Sequence, residues 1–121
     1  MISGIVRNRR VFVEPSLAGP EGQAADVEFM LDRGFTGVTT LTPEARTALA
    51  LPFLRLQSAG LADDSPLLLE VYQLTLFWDG AGRAVEALAL EGAPLIGMTL
   101  LEKSAARFQG RDGGLVSIKA L

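Results

Sequence analysis

The sequence contains no histidine and no cysteine. Those two absences remove most of the usual catalytic apparatus. No Ser-His-Asp triad, Cys-His dyad, thiolate zinc site or histidine metal cluster can be assembled. Disulfides are excluded as well, which agrees with an expectation of a reducing, cytoplasmic setting. Long apolar runs are missing: none approaches the roughly 20 residues that span a bilayer. The first residues, Met1-Ile2-Ser3-Gly4, lack the charged region, apolar region and cleavage site of a signal peptide. The net charge is −3, and the basic cluster Arg7, Arg9 and Arg10 reads as a solvated strand end or turn. Neither a nucleic-acid partner nor a membrane partner is expected.

Acid–base chemistry near neutral pH therefore falls to carboxylates, with lysine or tyrosine needing large pKa shifts to serve. The acidic residues are scattered along the chain, so no metal site and no cofactor are expected. What is abundant is apolar: 49% of the 121 residues. That is ample for one packed core, and a single domain covering residues 1–121 is expected.

The dominant pattern is period two. Val27, Phe29 and Leu31 alternate with Asp26, Glu28 and Met30, which predicts one half-buried strand. Val11 and Val13 predict an earlier strand that ends near the turn-rich Ala18-Gly19-Pro20-Glu21-Gly22. Leu67 to Trp78 is rich in β-branched and aromatic residues. Asp79-Gly80-Ala81-Gly82 turns the chain, and Ala84 to Leu90 returns as the partner strand. A last strand, Leu115 to Ile118, follows Asp112-Gly113-Gly114. Helical signals are few. Thr42-Pro43-Glu44-Ala45 supplies an N-cap hydroxyl, a first-position proline and a first-turn carboxylate, predicting a helix to about Leu51, where Pro52 stops it. A second short helix is predicted over Met98 to Lys103. The fold class is mostly β, a barrel or sandwich with one or two short helices.

One segment concentrates the chemistry. In Phe29-Met30-Leu31-Asp32-Arg33-Gly34-Phe35-Thr36-Gly37-Val38 an apolar strand runs straight into an aspartate, and two glycines follow within five residues. Gly34 and Gly37 allow sharp turning and close backbone approach. A carboxylate held this way can be presented in a cleft beside backbone N–H groups. The same pattern is also that of an ordinary turn.

In combination with later segments, this stretch resembles the Asp-Thr/Ser-Gly active-site loop of retroviral-type (clan AA, retropepsin-like) aspartic proteases. The small single-domain prokaryotic members are the most similar, with a loop that typically reads Asp-Thr-Gly-Phe-Thr-Gly. Ala93-Pro94-Leu95-Ile96-Gly97-Met98-Thr99-Leu100-Leu101 resembles that family's second signature, in which an apolar strand ends in Leu/Ile-Gly before a short helix. Thr42-Pro43-Glu44 and Gly113-Gly114-Leu115-Val116-Ser117-Ile118 follow in the family's order, so the likeness spans nearly the whole chain.

The resemblance implies a retropepsin-like acid-protease barrel with Asp32 as the catalytic residue. Arg33, Gly34, Phe35, Thr36 and Gly37 would form the active-site loop, and Leu95, Ile96 and Gly97 the second signature. A substrate-covering flap is implied around Ala62, Asp63, Asp64 and Ser65, with Asp64 where relatives carry glycine. Leu41, Leu61, Leu68 and Ile96 are either pocket linings or core. The chemistry needs two carboxylates sharing a proton, one acting as base on a water and the other as acid. Only one such loop is present. The resemblance therefore implies a two-fold homodimer with both copies of Asp32 at the axis, acting on a peptide or protein substrate in extended conformation. In the family the terminal strands pair across the dimer, which would involve Ile2 to Val6 and Leu115 to Ile118.

One residue departs from the pattern. Arg33 stands where the family has Thr or Ser, and arginine has no acceptor and is always charged. Two guanidiniums near two carboxylates would favour the fully ionised pair, which has no acid member. Weakened or lost proteolysis is expected from this, unless Arg33 instead holds a substrate carboxylate or turns outward without effect. The alternative is a non-catalytic peptide-binding or scaffold module on the same fold, gripping extended chains by strand addition. A generic β-barrel with an unrelated role would instead leave Asp32 in an exposed turn.

Overall fold

The computed structural model describes residues 1–60 and 66–121. The chain runs through β1 (Ile2–Arg7), β2 (Arg10–Val13), β3 (Ser16–Ala18), β4 (Ala24–Asp26), β5 (Phe29–Leu31), β6 (Thr39–Leu41) and α1 (Pro43–Ala48). It continues through β7 (Phe53–Gly60), β8 (Pro66–Trp78), β9 (Ala81–Ala89), β10 (Leu95–Ile96), α2 (Met98–Leu101), β11 (Ser104–Phe108) and β12 (Leu115–Ala120). The strands form a sheet in the order β11-β12-β1-β2-β5-β10-β6-β9-β8-β3-β4, with β7 added on β8. The sheet curls as a half-barrel around one cluster, in which Phe29, Leu17, Leu41, Leu74, Leu76 and Ile96 are completely enclosed. The mostly-β expectation holds.

The long hairpin shows why the sequence reads as it does. In β8 the side chains of Tyr72, Leu74, Leu76 and Trp78 point into the core while Gln73 and Phe77 face out. Burying each apolar side chain stabilises the fold by about 1.5–3 kcal/mol. Asp79 and Gly80 both adopt positive φ, 55° and 84°, and join Trp78 to its partner Ala81. This two-residue left-handed turn matches the sheet twist.

Three expectations are corrected. The single strand predicted over 26–31 is two: β4 pairs with β3, whereas β5 pairs with β2 and β10. A change of partners divides it at Val27-Glu28, and no local signal marks such a change. The first helix ends at Ala48, three residues before Leu51 and well before Pro52 acts. Its end is closed by Leu51 N–H to Arg46 O at 3.2 Å and Ala50 N–H to Thr47 O at 3.1 Å, with Ala50 at φ 51°. That closure drives Leu49 and Leu51 into the core. Likewise α2 stops at Leu101, because Glu102 is extended and Lys103 takes φ 64° on the way into β11.

The terminal strands also pair within one chain. β1 pairs with β12 of the same chain, Ile2 opposite Ile118 and Ile5 opposite Leu115. The other edge of β1 is taken by β2 and the other edge of β12 by β11. On β1 the pairing with β2 begins at Gly4, and on β12 the pairing with β1 ends at Ile118.

Candidate active site

Asp32 leaves the end of β5, where its backbone N–H donates to Ile96 O at 3.0 Å. β10 lies between β5, to which it is parallel, and β6, to which it is antiparallel. The two strands flanking the Asp32 loop are thus tied together by the second signature. Two buried threonines reinforce the joint. Thr39 Oγ1 donates to Leu95 O at 2.6 Å, and Leu95 N–H donates to Thr40 Oγ1 at 2.9 Å.

The segment after β10 grips the loop from below. Gly97 N–H donates to Val38 O at 2.9 Å, Met98 N–H to Phe35 O at 2.9 Å and Thr99 N–H to Gly37 O at 3.2 Å. The Thr99 hydroxyl donates to Thr36 O. Each loop carbonyl bound in this way is fixed in direction, and loops so over-determined hold a reactive side chain with little freedom. The expected loop and the second signature are therefore one structural unit. The flap residues Ala62, Asp63, Asp64 and Ser65 lie outside the described residues.

Within the loop, Asp32 is half-buried, and its Oδ1 accepts the Gly34 N–H at 2.9 Å. The Asp32 carbonyl accepts the Phe35 N–H at 3.1 Å, closing a tight turn. The other carboxylate oxygen has no hydrogen-bond partner among the described residues, so it is available to a water or another acid. Neither Gly34 nor Gly37 uses positive φ. Gly37 is instead small because the Phe35 ring lies over it, with Phe35 Cζ 2.6 Å from where a Cβ would be. Arg33 is exposed and forms neither an ion pair nor a hydrogen bond with Asp32.

No protein-family profile matches the chain, and no curated protein matches it. Among solved structures, the crystal structure of a retropepsin-like aspartic protease from Rickettsia conorii is similar over 99% of this chain and 91% of that one. The TM-score is 0.59 at 18% sequence identity. The fold is that of a retropepsin-like aspartic protease.

On this retropepsin-like frame, a cleft of about 210 Å³ adjoins the Asp32 loop. Gly37, Val38 and Thr39 line one part, with Arg55 and Gln57 of β7, Val71 of β8 and Glu86 and Leu88 of β9 lining the rest. Arg55 pairs with Glu86, and that hydrogen bond raises the guanidinium further above its ordinary value. These β7 and β9 residues were not singled out in the sequence. For Arg55 and Glu86 the only signal was charge, which ordinarily marks solvent; Gln57 and Leu88 gave none. Of the leucines and isoleucine weighed as linings, Leu41 and Ile96 are core and Leu68 is exposed; Leu61 lies outside the described residues. Among the described residues no group of three acidic side chains could hold a metal ion.

Proposed function

We propose that the protein is an aspartic endopeptidase-like homodimer that hydrolyses peptide bonds with a water activated between two Asp32 carboxylates. The observation that carries this reading is the clamped loop. Asp32 has one oxygen fixed by the Gly34 N–H, the other without a partner among the described residues, and a backbone held by the β10–α2 segment. The likeness in fold to a retropepsin-like aspartic protease supports it.

One copy supplies one carboxylate, so the acid and the base come from two copies. The ionised Asp32 takes a proton from the water, whose oxygen attacks the peptide carbonyl carbon. The protonated Asp32 gives its proton to the carbonyl oxygen; as the tetrahedral species collapses, the proton taken from the water passes to the leaving nitrogen and a hydroxyl proton returns to the other carboxylate, leaving acid and amine. An extended substrate would run past the β7–β8 hairpin, where Arg55 and Gln57 face the cleft.

Arg33 weakens this activity. Arginine has no acceptor, so it cannot make the hydrogen bonds by which the family's Thr or Ser would buttress the paired loops. A peptide-cleavage assay on wild type, Asp32→Asn and Arg33→Thr tests the reading. Cleavage by wild type or Arg33→Thr that Asp32→Asn removes supports it. Peptide binding without cleavage in both proteins would favour the non-catalytic binding module instead.

A further inference from the structure

A second cavity, of about 460 Å³, lies between the β1–β2 turn and the β11–β12 loop and shares no residue with the Asp32 loop. Its floor is apolar, built from Val6, Val11 and Phe108, and Phe108 remains 60% exposed there. Its rim carries Arg9, Arg111 and Asp112. The volume falls in the range of sites for small organic ligands.

The walls are rigid. Asn8 N–H donates to Asp112 Oδ1 at 2.9 Å, Gly113 N–H to Val6 O at 2.8 Å and Val6 N–H to Gly114 O at 3.0 Å. These bonds fasten the two loops to each other, so the cavity exists before any ligand arrives. Neither Arg9 nor Arg111 forms an ion pair with a described residue. The Asp112 oxygen not used by Asn8 also has no partner among the described residues.

The turn that presents Arg9 is costly. Asn8 and Arg9 adopt φ 49° and 64° at the two central positions of the hairpin turn. Glycine is the usual choice at the second, because a side chain is strained there. An arginine kept in a left-handed turn above an apolar floor is strain of the kind found at ligand sites.

We propose that this cavity binds the C-terminal residue of a peptide, or an equivalent N-acyl amino acid, with an apolar side chain. The guanidiniums of Arg9 and Arg111 take the carboxylate, Asp112 accepts the N–H of the same residue, and Val6, Val11 and Phe108 receive the side chain. Planar guanidinium forks suit a carboxylate. The site does not depend on Asp32 or on peptide cleavage.

The test is calorimetric titration with N-acetyl-L-leucine, N-acetyl-L-leucinamide and N-acetyl-Ala-Ala-Leu, supported by amide chemical shifts. Wild type should bind N-acetyl-L-leucine with shifts centred on Gly110 and Asp112, and bind the amide roughly tenfold to a hundredfold more weakly. Tighter binding of the tripeptide would identify a peptide end as the natural occupant; equal binding would identify the free N-acyl amino acid. Arg9→Gly should fold at least as well as wild type, because it relieves the turn, and yet lose affinity. Arg111→Gln should lose a similar factor, with the same circular-dichroism spectrum. Equal affinity for acid and amide, undetectable binding, or shifts confined to the Asp32 loop would each overturn the proposal.

Discussion

Gly97 lies so close to Gly37 that a Cβ placed on Gly97 would sit 2.2 Å from the Gly37 carbonyl oxygen. The same atom would be 2.8 Å from the Phe35 carbonyl oxygen. Both are backbone atoms that the neighbouring hydrogen bonds hold in place, so neither can move aside cheaply. Gly97→Ala should therefore destabilise the protein by about 3 kcal/mol and displace the Asp32 loop. Urea denaturation measures the first effect. A midpoint unchanged from wild type would mean that the loop is not clamped as described.

The threonine pair offers a finer probe of the same joint. Thr40→Val keeps the shape but leaves the Leu95 N–H without its acceptor. The expected loss is about 1–3 kcal/mol. Thr39→Val removes a donor and leaves a carbonyl, which is less demanding. The double variant should lose less than the two singles added together, since both hydrogen bonds hold one strand.

At the surface, Arg7 pairs with Glu28 and also stacks over the Phe12 ring, 4.3 Å from its centroid. The hydrogen bond from Arg7 holds the Glu28 carboxyl below its ordinary value of 4.5. A carboxyl depressed in the folded state stabilises the protein above its unfolded value, and that contribution fades as pH falls through the folded value. Wild type should accordingly be slightly more stable than Glu28→Gln at neutral pH, with the difference vanishing in acid and in high salt. Denaturation midpoints at several pH values check this. A difference that stays constant into acid would point to packing instead.

Arg33→Thr should raise peptide cleavage by at least about tenfold, the effect of about 1.4 kcal/mol in the barrier. Stability should change by no more than about 0.5 kcal/mol, because Arg33 is an exposed residue without an ion pair to lose. Steady-state assays on a fluorogenic peptide, read beside urea curves, separate the two effects.

The Asp32 loop and the segment that clamps it were readable because they are local. An apolar strand, an aspartate and two glycines are consecutive, and the Leu95-Ile96-Gly97 match was a short run as well. The glycines were readable in part: they suggested sharp turning and close approach, and Gly37 serves the second, making room for the Phe35 ring without a positive φ. The cleft residues Arg55, Gln57 and Glu86 become neighbours of Gly37 only when strands far apart in sequence curl together. β11 went unseen for the same reason. Its Ser104-Ala105-Ala106 start carries little strand preference, and pairing with β12 imposes the conformation.

The pairing of β1 with β12 has a consequence for assembly. Each copy closes its first strand on its last without help from a neighbour. Two copies would meet as finished surfaces, in a step second-order in concentration and separate in time from folding. Dilution would then part them without unravelling either, and any property that needs both copies would return on reconcentration with no refolding lag.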